Sequence, residues 1–136
     1  MRNRLQHALK NERGLTLVEL LAVIVILGIV AAIAVPSIGG IITSAEEDAT
    51  VAEGIQIINA AKLYTASERI EDGEVLTDED LGQFLDSVDD KGYKVVINVN
   101  NDKYEYTLED HDSVELVNGK NSGSASEEDL LGNTDD

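Results

Sequence analysis

Residues 14–45 read GLTLVELLAVIVILGIVAAIAVPSIGGIITSA, and this stretch decides the architecture. Glu19 is its only ionisable residue, and nothing from Leu20 to Ala45 carries a charge. A helix needs about 20 apolar residues to cross a hydrocarbon core, so the run is long enough to span a bilayer. The chain has 136 residues, enough for one modest domain, and the apolar run takes much of that length. The expectation is a membrane stem carrying a compact head, with too little chain left over for a free-standing enzyme.

Charge is divided across this stretch. Residues 1–14 hold Arg2, Arg4, Lys10 and Arg13 against Glu12, a net charge of +3; the rest of the chain holds 6 basic and 26 acidic residues, a net charge of −20. Basic residues flanking an apolar span stay on the cytoplasmic side, which predicts an N-terminus inside and everything after Ala45 outside. So acidic an exterior repels phosphate backbones, and no direct nucleic-acid binding is expected. It suits solubility in salt. The chain has no cysteine, which excludes thiol chemistry and thiolate-bound metal and leaves the head to fold on packing alone or with a bound ion.

Four segments follow: a basic leader (1–14), a membrane-spanning half of a stem helix (15–45), an amphipathic helix with a small head (46–118), and an acidic tail (119–136). The stem is expected to run as one helix from Leu15 to about Glu68. At about 1.5 Å per residue it is roughly 80 Å long, more than twice the apolar thickness of a bilayer, so its outer half must leave the membrane. There Val51, Ile55 and Ile58 form a stripe with Ile57, Ala61 and Tyr64 beside it, while Glu53, Gln56 and Ser67 lie opposite. One face therefore seeks a partner and the other meets water.

In the head, Thr77 followed by Asp78, Glu79 and Asp80 is a helix-start signal, and Leu81, Phe84, Leu85 and Val88 continue it at helical spacing. After Gly92 the period changes to two. Tyr93, Val95, Ile97 and Val99 alternate on one expected strand, Tyr104, Tyr106 and Leu108 on a second, with Asn100-Asn101-Asp102 as the turn. Val114 and Leu116 suggest a short third strand. An antiparallel meander against the outer half of the stem buries both apolar faces and makes an α+β fold. Residues 119–136, rich in Gly, Ser, Asn and acids, are expected to be disordered, with docking of the paired hydrophobes Leu130 and Leu131 as the less favoured alternative.

The junction at Gly14-Leu15-Thr16-Leu17-Val18-Glu19-Leu20-Leu21 has a special order. A secretory signal places its apolar core before the cleavage site; here the basic region meets a glycine and the apolar core comes after it. Arg13, Gly14, the Thr/Leu run, Glu19 five positions beyond the glycine, and Gly28 and Pro36 farther on together resemble the type IV prepilins and the pseudopilins of secretion and competence systems. Leu15 departs from the Phe or Met common in that family, and the cysteine pair of many pilin heads is missing. The resemblance implies a pilin-like fold, cleavage after Gly14 by a membrane prepilin peptidase and methylation of the new amine at Leu15. It also implies homopolymer assembly with other pilin or pseudopilin subunits, driven by a membrane platform and its ATPase, with the lipid bilayer holding the subunit beforehand. The destination is a filament at the cell surface or in the envelope.

Within that resemblance Glu19 is the assembly residue. A carboxylate in an apolar span costs about 2.5–3.5 kcal/mol at the membrane centre, less near the edge, and packed stems would strip it of water. The family solution is pairing with a neighbour's N-terminal amine, which cleavage itself creates. Glu19 can otherwise snorkel to the interface. Pro36 removes a donor to the Ala32 carbonyl, and Gly28, Gly39 and Gly40 add backbone freedom. They mark a site of kinking or of melting during assembly.

No cofactor and no catalytic constellation is expected. His7 and His111 lie in different compartments. Asp110 and Asp112, with the cluster Asp78-Glu79-Asp80, are the candidate calcium oxygens, but neither cluster follows the alternating pattern of a calcium loop. Tyr93, Tyr104 and Tyr106 suit a base-stacking platform or, more simply, the buried face of a sheet. The alternative to a filament subunit is a single-pass anchored binding module with an acidic head, which predicts no processing and an indifferent Glu19.

Overall fold

The computed structural model describes the backbone of residues 2–86 and 88–132 and the side chains of residues 12–86 and 88–132. The side chains of the leader as far as residue 11, including His7, and the last four residues of the expected tail lie outside the described residues. The elements are α1 (Arg2–Ser67), β1 (Glu74–Thr77), α2 (Asp78–Leu81) prolonged by a 3-10 turn (Gly82–Phe84), β2 (Lys94–Asn100), β3 (Lys103–Glu109), α3 (Asp112–Asn118), β4 (Ser124–Ser126) and α4 (Glu127–Gly132). The fold is α+β. The chain divides into two compact units, residues 1–43 and 44–136.

The first unit is helical throughout its described backbone. α1 starts at Arg2 and not at Leu15, so the leader joins the helix. Leu, Arg, Gln, Ala, Lys and Glu are all good helix formers, and a single Gly14 costs only about 1 kcal/mol relative to alanine. The helix also runs through Pro36. Proline costs about 3 kcal/mol in a helix interior, but in an apolar medium the other amides have no partners outside the helix, which favours keeping it.

The second unit holds the only extensive core among the described residues. Val51, Ile57, Ile58, Ala60 and Ala61 on α1 are buried, together with Leu76, Leu81, Tyr93, Val95, Ile97, Tyr106, Leu108, Val114, Ala125 and Leu130. The sheet is antiparallel in the order β1-β2-β3-β4. Its register aligns Leu76 with Val95, Val95 with Leu108, and Leu108 with Ala125. These four buried residues form one row across all four strands. The period-two alternation of β2 and β3 thus has its physical cause: one face of the sheet belongs to the core. Asn101 and Asp102 join the two strands with φ of 49° and 61°, the left-handed pair that a two-residue type I′ hairpin requires.

Four expectations are corrected in the head. β1 was not expected; Val75 and Leu76 are too short a run to show a period, and pairing with β2 makes the strand. The helix after Thr77 is shorter than its apolar spacing predicts, because Leu85 has left the helix for extended backbone (φ −125°, ψ 120°). Val114 and Leu116 lie on α3, not on a strand. His111 caps that helix by accepting from the Ser113 amide, and Gly119, at φ 85°, ends it with its N–H on the Glu115 carbonyl. The tail expected to be disordered is structured as far as Gly132. Ser124–Ser126 pair with Thr107–Glu109 of β3, and Leu130 is completely buried. The segment is held by its pairing with β3 and by two apolar anchors in the core, Ala125 and Leu130.

Candidate processing and assembly site

Gly14, Leu15 and Glu19 all lie on α1, within little more than one turn of one another. Leu15 and Glu19 are four residues apart, which places them on the same helix face as neighbours. Thr16 sits between them with its hydroxyl donating back to the carbonyls of Glu12 and Arg13, at 3.3 and 3.1 Å. This back-bonding satisfies the hydroxyl locally and leaves the helix surface apolar there.

Beyond the junction the surface is almost wholly hydrocarbon. Leu15, Leu17, Val18, Leu20 and Leu21 are exposed, and so are the large apolar residues as far as Ile42. α1 is the one helix among the described residues long and apolar enough to cross a membrane, and the apolar window that qualifies it is unburied. A patch of this size on a soluble monomer would be an aggregation surface, and a bilayer would cover it. Glu19 is exposed within it. Side chains added at Gly14, Gly28, Gly39 or Gly40 would meet open space within the chain itself. Thr43 donates to the Gly39 carbonyl at 3.1 Å, the back-bonding of a helical threonine to the residue four positions earlier. Gly28, Pro36, Gly39 and Gly40 are all helical.

The candidates in the head are not gathered into a site. Asp110 is exposed and pairs with Lys94 at 3.3 Å, while Asp112 is an exposed acid in the first turn of α3. Among the described residues no three His, Cys, Asp or Glu side chains are arranged to hold a metal ion. Asp78, Glu79 and Asp80 form the first turn of α2, where carboxylates meet the positive end of the helix dipole. The Asp80 carboxylate accepts from both the amide and the hydroxyl of Thr77, at 3.0 and 2.9 Å.

The three tyrosines are split: the rings of Tyr104 and Tyr106 are neighbours with centres 6.5 Å apart, while Tyr93 packs against His111. Tyr93 and Tyr106 are buried and Tyr104 is exposed. Tyr106 joins its hydroxyl to that of Thr65 at 2.8 Å, and the Lys62 ammonium lies 5.8 Å from its ring centre. Lys62 also pairs with Glu127, which ties α4 to α1. Lys62 and Glu127 lie 65 positions apart, and the sequence reading did not single out either. No local pattern announces such a pair.

Residues 9–35 match the model of the prokaryotic N-terminal methylation motif, the class III signal of type IV pilins and pseudopilins. The match takes in Gly14, Leu15, Glu19 and Gly28 and stops one residue before Pro36; the head lies outside it. No curated protein matches the chain. No solved structure does so either.

Proposed function

We propose that this chain is the precursor of a type IV pilin-like or pseudopilin subunit, a structural protein that prepilin peptidase cuts after Gly14 and methylates at Leu15. The observation that carries the reading is the order of the junction. A basic leader and a glycine precede an apolar helix that stays with the mature protein, inside a methylation-motif match. Cleavage removes a leader of charge +3 and creates an amine at the head of the apolar stem. That amine and Glu19 are the two charges the packed stems would otherwise have to bury alone. Paired between neighbouring subunits, each offsets the desolvation of the other, and a mispaired register leaves both uncompensated. Glu19 thereby sets the stagger of the filament.

Before assembly the stem spans the cytoplasmic membrane with the N-terminus inside. Extraction into the filament requires an assembly platform and its ATPase. Gly28, Pro36, Gly39 and Gly40 concentrate backbone freedom in the part of the stem that must repack on leaving lipid. The acidic head decorates the outside.

The test is the intact mass of the protein from cells with and without prepilin peptidase. Loss of residues 1–14 with gain of one methyl group, only when the peptidase is present, supports the reading. An unprocessed mass in both strains, with a control substrate cut normally, overturns it and leaves a single-pass anchored binding module.

A further inference from the structure

His111 is the one buried histidine of the head, and its two ring nitrogens have opposite fortunes. Nδ1 accepts from the main-chain amide of Ser113 at 3.1 Å and lies 2.7 Å from the Ser113 hydroxyl. A nitrogen that accepts from an N–H carries no proton, so the neutral ring holds its proton on Nε2. Nε2 is fully buried and has no hydrogen-bond partner. The nearest acceptors are carboxylate oxygens of Asp90 at 3.8 Å and Glu53 at 4.0 Å, beyond hydrogen-bond reach. Asp90 comes from the segment before β2 and Glu53 from α1.

The other groups around the ring are Asp112, next in the chain, and Tyr93, edge-on with ring centres 6.1 Å apart. Asp110 precedes His111 and is engaged by Lys94. The side chain of His111 is 1% exposed, while those of Glu53 and Asp90 are 38% and 33% exposed. The carboxylates therefore stand at the surface and can move, whereas the ring is held in the interior.

We infer that His111 is a proton-operated latch: the neutral ring caps α3, and the protonated ring exchanges that cap for ion pairs with Glu53 and Asp90. Protonation places a hydrogen on Nδ1, where it confronts the Ser113 N–H. Two donors cannot share a bond, so the amide loses its cap and the Ser113 hydroxyl must turn to accept. On the other side the positive charge draws in two carboxylates that are already adjacent. α3 carries the chain on to β4 and α4, so losing its first turn loosens the C-terminal clasp on the β3 edge. Burial holds the ring below the ordinary histidine range, against the pull of Asp90, Glu53 and Asp112. The cap therefore persists at neutral pH and opens on the acid side of about 6.5.

The experiment uses the full chain in detergent micelles. Ring resonances of His111 and amide exchange of residues 113–118 and 124–126 are followed from pH 8 to 5, corrected for intrinsic exchange. The expected result is a titration below 6.5, with the opening equilibrium of α3 and β4 rising roughly tenfold per pH unit through the same window. Glu53→Gln and Asp90→Asn move the midpoint to lower pH, because each removes a charge that favours the imidazolium. His111→Asn keeps an N-cap acceptor and abolishes the response. A midpoint at or above 6.5, a titration that leaves α3 protected, or a response retained in His111→Asn overturns the latch. If His111→Asn does not fold, the wild-type titration and the two carboxylate variants decide.

Discussion

Gly54 on α1 and Ser113 in the first turn of α3 approach so closely that a side chain at position 54 has no room. A Cβ there would overlap the Ser113 hydroxyl and stand 3.1 Å from its Cβ and 3.3 Å from Leu108 Cδ2. Gly54 is fully helical and would gain about 1 kcal/mol from alanine by propensity alone. Overpacking of a filled site costs about 1–3 kcal/mol, and Ser113 cannot yield without disturbing the His111 cap. Gly54→Ala should therefore destabilise the head in urea unfolding. The double variant with Ser113→Ala should recover only part of the loss, since the Ser113 Cβ and Leu108 contacts remain. A neutral or stabilising Gly54→Ala would show that α3 docks more loosely than this contact requires.

Leu130 lies in the segment that composition marks as disordered, yet it is completely buried. Leu130→Ala should cost about 2–5 kcal/mol, the usual range for emptying a leucine site in a core. Leu131 is 46% exposed, and Leu131→Ala should change stability by no more than about 0.5 kcal/mol. Equal, small effects at both positions would mean that α4 does not close the core in solution.

The start of α4 is a reciprocal cap. Asp129 accepts from the Ser126 amide at 2.9 Å, and the Asp129 amide donates to the Ser126 hydroxyl at 3.2 Å. Ser126→Ala should cost about 1 kcal/mol. The Ser126 amide, then the Asn118 side chain, hold the Asp129 carboxyl below its ordinary range. A carboxyl depressed in the folded state contributes stability above its unfolded pKa, and that contribution is lost as pH falls below about 4. Asp129 is almost fully solvated, so the effect is small. Asp129→Asn should flatten thermal-unfolding midpoints measured between pH 5 and 3; a slope unchanged from wild type would assign it to other acids.

At the junction, the proposed role separates two variants. Gly14→Val should keep the leader attached in intact-mass measurement while the protein still enters the membrane. Glu19→Ala should be cut and methylated normally but be lost from sheared surface material. Filaments assembled from Glu19→Ala at wild-type yield would remove the charge-pairing account of assembly while leaving processing intact.

Much of this chain could be read directly from residues. The stem is legible because its signals are local: an uncharged run, a basic flank, and a glycine and a glutamate at fixed offsets. β2 and β3 are legible for the same reason, since alternation in Tyr93–Val99 and Tyr104–Leu108 follows from one face of a sheet meeting a core. The misassigned elements are short. The stretch containing Val114 and Leu116 is compatible with strand or helix by its apolar residues. Asp112, Ser113 and Gly119 were the available helix signals, and they outweigh two hydrophobes. Ser126 and Asp129 cap α4 reciprocally, in a segment whose composition alone reads as disordered.

What the sequence by itself determined is the stem and its junction. A continuous apolar helix satisfies its own backbone, so nothing elsewhere in the chain needs to be known to specify it. Only tertiary structure decided that residues 124–132 are ordered, that Gly54 must lack a side chain, and that His111 is buried between a helix cap and two carboxylates. Each depends on a partner tens of residues away, and a short segment has too few bonds of its own to hold a conformation until that partner arrives.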